Sequence, residues 1–289
     1  MTEGRLAVRK TYKLYIGGAF PRSESGRSYL VGGPNGAPLA NAALASRKDL
    51  RDAVVAARKA QPGWAGATAY NRGQVVYRVA EMLEGRHAQF AEALVAGEGL
   101  SAKQASAAVD ASVDRLVWYA GWADKFAQVA GSANPVAGPY FDFSIPEPTG
   151  VVGVLAPQVS SLLGLVSVVA PIITTGNAAV VVASEARPLP ALELAEVLAT
   201  SDLPGGVVNI LTGRTAELAP VLAAHRDVEA LDLAGAADGT EAELEVAAAD
   251  NVKRVLRRAR AEPDWAADLG PARMLFFVEL KTVWHPIGV

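Results

Sequence analysis

Residues 151–183 read VVGVLAPQVSSLLGLVSVVAPIITTGNAAVVVA and contain no charged side chain. A membrane-spanning helix needs about 20 uninterrupted apolar residues. Pro157, Gln158, Pro171, Gly176 and Asn177 break this run too often for that. A strand at 151–155, a helix at 161–175 and a second strand at 178–182 account for it better, all buried in a core. Parallel neighbours need a helical crossover between them, so this is one unit of a parallel sheet. The alternation continues with a helix at 190–200, a strand at 207–211, a helix at 216–224 and a last strand at 230–233. The fold class is therefore α/β, a parallel sheet with helices on both faces. Ligands of such sheets bind beyond the carboxyl ends of the strands. Chemistry is expected at the loops 156–160, 183–188, 212–215 and 234–239.

Upstream the chain is mainly helical. A short hairpin at 12–20, turning at Gly17-Gly18, precedes a stretch rich in Gly, Pro and Asn. Ser46 and Asp49 have capping-box spacing before a helix that places Leu50, Val54 and Ala57 on one face and ends at Pro62. A second helix carries Val75, Val76, Val79, Ala80 and Leu83 and continues through Phe90 and Leu94 to Gly97. A long third one buries Val109, Val113, Leu116, Val117 and Ala120. Prolines 135, 139, 146 and 148 flank residues 140–145, which read as an edge strand. Downstream, 238–260 reads as one more helix, acidic first and basic last, so its charges complement its own dipole. Residues 276–284 are apolar and strand-like.

Composition narrows the function. The 289 residues carry a net charge of −3 and no cysteine. Disulfides, thiolate metal sites and thiol nucleophiles are thereby excluded from this sequence. His87, His225 and His285 are too scattered for a zinc site. The charge balance gives no reason to expect nucleic acid or an anionic membrane as partner. Residues 1–13 are charged and polar with no apolar export segment, which predicts a cytoplasmic protein.

An ordered series of motifs resembles the aldehyde dehydrogenase superfamily. EPTGVVGV (147–154) is similar to the family's EPxGVVG strand, and APIITTGN (170–177) to its LAPALAAGN segment. Ser184-Glu185 fits the end of KPSE. LPGGVVNILTG (203–213) matches GLPPGVxNxxTG, and DVEALDLAG (227–235) follows the pattern ending in FTGS. WYAGWADK (118–125) resembles the YYAGWADK helix, and RMLFFVELKTVW (273–284) the C-terminal YTxxKxVW strand. The resemblance implies a Rossmann-like dinucleotide-binding domain at 1–134 and 150–270, and a small β oligomerisation arm at 135–149 and 271–289.

Several family positions differ. The loop that holds the oxyanion-binding asparagine in PWNFP is Pro157-Gln158-Val159-Ser160-Ser161, without that donor at Val159. The KPSE lysine aligns with Val182, and Ala234-Gly235-Ala236 lacks the hydroxyls of FTGS. Each lost charge-assisted contact removes about 1.5–3 kcal/mol. By resemblance the cofactor-binding positions are Glu185, Ser184, Gly213 and Gly235, with Glu185 either on the ribose of NAD or NADP or a solvated loop carboxylate. Neither the ELGGK general-base motif nor the GQxC nucleophile motif occurs between 236 and 272, so the resemblance is to a member whose catalytic domain is absent. It is similar to the second, degenerate module of fused two-module family members.

The implied function is a non-catalytic subunit that associates with a complete NAD(P)-dependent aldehyde dehydrogenase. A homo-oligomer through the C-terminal strand is the other assembly the tail allows. The alternative function is an NAD(P)-binding component of a composite active site. Ser160 and Ser161 have no activating base in sequence and read as helix caps.

Overall fold

The computed structural model describes residues 8–268 and 270–288, so residues 1–7 of the charged N-terminal stretch and residue 289 of the arm lie outside it. In chain order the elements are β1 (Thr11–Tyr12), β2 (Ser28–Gly32), β3 (Pro38–Ala43), α1 (Arg47–Gly66), α2 (Ala69–Glu84), α3 (His87–Glu98), α4 (Ala102–Trp122) and α5 (Phe126–Ala130). There follow β4 (Ser132–Asn134), β5 (Tyr140–Pro148), β6 (Val151–Leu155), α6 (Leu163–Thr174), β7 (Ala178–Val182), α7 (Leu189–Leu198), β8 (Val208–Leu211) and α8 (Thr215–Ala224). The chain continues with β9 (Ala230–Asp232), α9 (Glu241–Ala249), β10 (Arg254–Leu256), α10 (Ala272–Phe276) and β11 (Val278–Pro286).

The central sheet has five strands in the order β10-β9-β6-β7-β8, all parallel. Its strands alternate between two cores, as a period of two requires. Val152, Val154, Ala179, Val181 and Ile210 enter the core built with α2, α4 and α6. Val151, Leu155, Val180, Val182 and Leu211 enter the opposite one, with residues of α1, α8 and α9. The chain leaves β6 toward β7 and β8, then returns to place β9 on the other side of β6. This reversal opens a crevice beyond the carboxyl ends of β6 and β9.

A second sheet, ordered β11-β5-β4, holds the arm strands. β11 runs antiparallel to β5 over its whole length, from Val278 opposite Pro148 to Pro286 opposite Tyr140. The tail thus packs within its own small sheet, and β11 forms one edge. Arg273, just before it, pairs with the fully buried Asp232 at the end of β9. Burial raises the Asp232 pKa, and Arg273 opposes that shift.

Several expectations need correction. α1 does not end at Pro62 but runs to Gly66. Proline costs one helical donor, while the last turn is pinned by Trp64, whose Nε1 donates to the Ile173 carbonyl at 2.8 Å. The second helix is two, α2 and α3, parted at Gly85 and Arg86, where Arg86 leaves helical geometry (φ −115°, ψ 18°). On α4 the buried face is Ala105, Val109, Ser112, Leu116 and Tyr119, and Val117 points outward.

β5 is the central strand of its sheet rather than an edge. Its prolines are tolerated because β4 covers only Asp142 to Ser144, leaving the flank at Pro146 and Pro148 free. Residues 238–260 are not one helix. α9 stops at Ala249, Val252 takes a left-handed backbone (φ 57°), and β10 then adds beyond β9, so 230–233 is not the last strand of the sheet. The basic residues fold back onto the acidic turn instead of extending it: Arg257 pairs with Glu245, and Arg258 with Glu241 and Asp238. The Gly17-Gly18 turn does form, with Ile16 and Ala19 exchanging backbone hydrogen bonds and both glycines at positive φ. No two-stranded hairpin flanks it, because β1 pairs parallel with β3 and Tyr15 bridges to Ile210.

Candidate functional site

The crevice is a cavity of about 790 Å³, within the size range of small-molecule sites. It is walled by the loops after β6 (Gln158, Val159), β7 (Glu185), β8 (Arg214, Thr215), β9 (residues 234–238) and β10 (Arg258, Glu262), with Tyr29 from β2 across from them. The four loops singled out in the sequence therefore converge on one space.

Of the four expected residues, Glu185 and Gly235 line this cavity. Glu185 is committed within the chain: its carboxylate accepts from Arg214 Nη1 at 2.6 Å and from the Thr215 amide at 3.0 Å. The Tyr29 hydroxyl donates to the Glu185 carbonyl at 3.2 Å, and the Arg214 guanidinium lies 5.4 Å from the Tyr29 ring. Burial first, and the Glu185 charge second, push the Tyr29 phenol above its ordinary pKa. Gly235 donates its amide to the Leu155 carbonyl at 2.8 Å. A Cβ there would collide with the Ala156 carbonyl oxygen, so this position requires glycine for close backbone approach.

Ser184 is buried and works within the loops, its hydroxyl donating to the Gln158 carbonyl at 3.1 Å and accepting from the Arg187 amide. Gly213 sits behind Arg214, where a Cβ would stand 3.2 Å from the Ala45 nitrogen. Val182, aligned with the family lysine, is fully buried in β7. Val159 presents its side chain to solvent.

Amides of the loop before α6 are also taken. Glu262 accepts from the Val159 amide at 3.2 Å and the Ser160 amide at 3.0 Å. Glu98, from the end of α3, accepts from the Ser161 amide at 2.8 Å and its hydroxyl at 2.6 Å. The Ser160 hydroxyl accepts from the Gly164 amide at 3.0 Å, but neither serine is the cap of α6, which is Leu162 without a side-chain bond. Glu262, Arg214, Tyr29 and Arg258 were not singled out in the sequence. Arg258 was assigned to a helix it does not join, and Glu262 lies in an irregular segment with no periodic signal.

As arranged, these residues do not fit a dinucleotide. The loop amides of Val159, Ser160 and Ser161, beside the cleft, are bonded to carboxylates, and the candidate ribose partner is held by Arg214. Among the described residues there is no cluster of His, Asp or Glu able to hold a metal ion and no helix long and apolar enough to cross a membrane.

The model of the aldehyde dehydrogenase family matches residues 22–258. The chain is 32% identical over 249 residues to aldehyde dehydrogenase, cytosolic 1, of Elephantulus edwardii, spanning 84% of this chain and 49% of that one. It is 31% identical over 260 residues to cytosolic 10-formyltetrahydrofolate dehydrogenase of Mus musculus, spanning 87% of this chain and 28% of that one. Among solved structures, an aldehyde dehydrogenase from Bacillus cereus superposes with a TM-score of 0.79 at 26% identity, over 85% of this chain and 50% of that one. A betaine aldehyde dehydrogenase from Staphylococcus aureus, solved with NAD+, shares the fold at a TM-score of 0.80 and 24% identity, over 84% of this chain and 49% of its own. The chain spans at most about half the length of these relatives. The match over 22–258 and the shared sheet place it: this chain belongs to the aldehyde dehydrogenase family.

Proposed function

We propose that this chain is a non-catalytic subunit that associates, through its arm, with a complete NAD(P)-dependent aldehyde dehydrogenase in the cytoplasm. The observation that carries the reading is the outer edge of β11. Nine residues of strand pair with β5 on one side only, and Leu280 and Trp284 on that strand are 60% and 58% exposed. An open strand edge of this length that exposes two large apolar side chains invites another strand, and main-chain hydrogen bonds would fix its register.

The absence of cysteine supports the non-catalytic part. Without a thiolate there is no thiohemiacetal, hence no hydride donor and no thioester to hydrolyse, so any such chemistry is supplied from outside these residues. Association with a second copy through the same edge is the competing assembly.

The test is size-exclusion chromatography of the chain co-expressed with a cysteine-containing aldehyde dehydrogenase from the same cells. Co-elution in fixed ratio is expected. Two separate peaks would sink the proposal, and a self-associated peak of this chain alone would replace it with the homo-oligomer. A composite active site draws support from the cavity at the carboxyl ends of the strands, and it requires that the cleft can be opened to a cofactor.

A further inference from the structure

β1 has two residues and forms an edge of its three-stranded sheet, pairing with β3 alone. The Asn41 amide of β3 donates to the Lys10 carbonyl at 2.9 Å, and Lys10 Nζ donates to Glu196 at 2.9 Å. Directly after this short segment the chain is fixed. Leu14 and Tyr15 are buried, and Tyr15 exchanges backbone hydrogen bonds with Ile210 of β8 at 2.9 and 2.8 Å. Beneath the segment lies Glu193 of α7, only 6% exposed. Its Oε1 accepts from the Tyr12 hydroxyl at 3.3 Å, and its Oε2 has no partner. Lys10, the cation whose charge reaches it, is bonded to Glu196 instead, and Arg86 at the head of α3 meets Glu196 at 3.5 Å. β2 and β3 face α7 with Val31, Ala40 and Ala42, beside Tyr29, whose hydroxyl is engaged by the Glu185 carbonyl. α2 meets α7 in the main apolar core. A carboxylate so buried, with no cation of its own, is costly when ionised and tolerable when protonated.

We propose that residues 10–12 form a pH-sensitive latch, docked on α7 while Glu193 carries its proton and released, pivoting at Lys13, once Glu193 ionises. Release is the least costly way to bring water to the charged side chain. It breaks a two-residue edge pairing and one surface ion pair, whereas moving α7 would open the main core. The buried Leu14 and Tyr15 stop the opening from spreading along the chain. Burial pushes the Glu193 pKa from about 4.5 up to about 7, and the Tyr12 phenol is pushed above its ordinary value, so Glu193 is the member of the pair that titrates first. The docked state holds the Glu193 proton more tightly than the open one. Docking is therefore complete below about pH 4.5 and weakens as pH rises to about 7. Release frees the edge of β3 and uncovers Leu192 of α7, against which Tyr12 packs. The latch is independent of the proposed assembly, since it concerns neither the arm nor the cleft.

Amide hydrogen exchange of the full chain, followed from about pH 4.5 to about pH 7.5, tests the latch. The Asn41 amide reports docking through its bond to Lys10, and the Tyr15 amide, bonded to Ile210, serves as reference in the same sample. Their ratio cancels the intrinsic pH dependence of exchange. In the parent the protection of Asn41 relative to Tyr15 is expected to fall at least about tenfold across this range. In Glu193→Gln, which keeps the side-chain length without the charge, the ratio stays level. A level ratio in the parent overturns the latch, whether neither amide changes or both loosen together with the whole body. An equal fall in Glu193→Gln overturns it as well. If Glu193→Gln does not fold, Tyr12→Phe removes a donor to the ionised carboxylate, and the fall must then exceed that of the parent. An equal or smaller fall in Tyr12→Phe counts against the latch.

Discussion

The cleft and the arm lie at different places on one chain and treat their polar groups in opposite ways. Around the cleft, carboxylates, guanidinium groups and loop amides are paired with one another: Glu185 with Arg214, Arg258 with Asp238 and Glu241, Glu262 and Glu98 with the amides of residues 159–161. In the arm, β11 leaves one backbone edge without a strand and exposes Leu280 and Trp284. A buried or half-buried polar group must find a partner, and when no ligand is required the chain can supply one. An exposed apolar edge costs solubility unless something covers it. The contrast therefore separates a surface satisfied from within from one that leaves a strand edge open.

The largest expected effect is at the junction of the two regions. Arg273 precedes the arm strand, and its guanidinium is the ion-pair partner of Asp232, which is fully buried at the end of β9. Removing one member of such a pair strands the other charge away from water. Arg273→Ala is expected to lower the stability to urea by about 3–5 kcal/mol. Replacing both residues, as in Asp232→Asn with Arg273→Met, should recover much of that loss. If Arg273→Ala unfolds at the parental midpoint, arm and sheet are not coupled through this pair.

A smaller effect belongs to neither region and shows how the body itself responds to pH. Glu193 of α7 is buried, with one carboxylate oxygen lacking a partner, while the Tyr12 hydroxyl donates to the other at 3.3 Å. Burial lifts its pKa from about 4.5 to about 7, against the favourable bond from Tyr12 and the charge of Lys10, with Glu196 adding repulsion. The folded state thus holds this proton more tightly than the unfolded chain. Its contribution is complete below about pH 4.5 and is lost as pH rises to about 7. The whole window is worth at most about 3 kcal/mol. Denaturation curves across it should show stability falling with pH, and Glu193→Gln should flatten that fall and exceed the parent at pH 8. A slope unchanged in the variant would remove Glu193 as its source.

The sequence exposes these features unequally. Strands β6 and β7 stand at 151–155 and 178–182 as read, because a parallel strand buried on both faces appears as an uncharged, β-branched run bounded by glycine and asparagine. The Ser46–Asp49 capping box is local chemistry and forms as expected, with both reciprocal bonds present. β10 could not be read in this way. Arg254 to Leu256 become a strand because β9 offers an open edge, a tertiary cause that no local pattern records. The cleft is legible as a place, since the loops after four parallel strands must converge. Its pairing is not: Glu185 meets Arg214 and Glu262 meets Val159 only after the chain has folded. Glu262 in particular lies in an irregular segment, where spacing carries no information about direction.

The smallest effect on stability should accompany a complete loss of assembly, and that pairing is what distinguishes an interface from a core. Trp284 is mostly exposed, meeting the Tyr140 ring edge-on at 5.6 Å, and Leu280 is more exposed still. Substituting exposed side chains ordinarily shifts stability by no more than about 0.5 kcal/mol. Leu280→Ser combined with Trp284→Ser should therefore melt with the parent while failing to co-elute with a complete aldehyde dehydrogenase. A fall of several degrees in melting temperature would mean that these residues stabilise the β11-β5 pair itself. Unimpaired co-elution would move the contact to another surface, and the contrast between an inward-paired cleft and an outward-facing arm would then lose its second half.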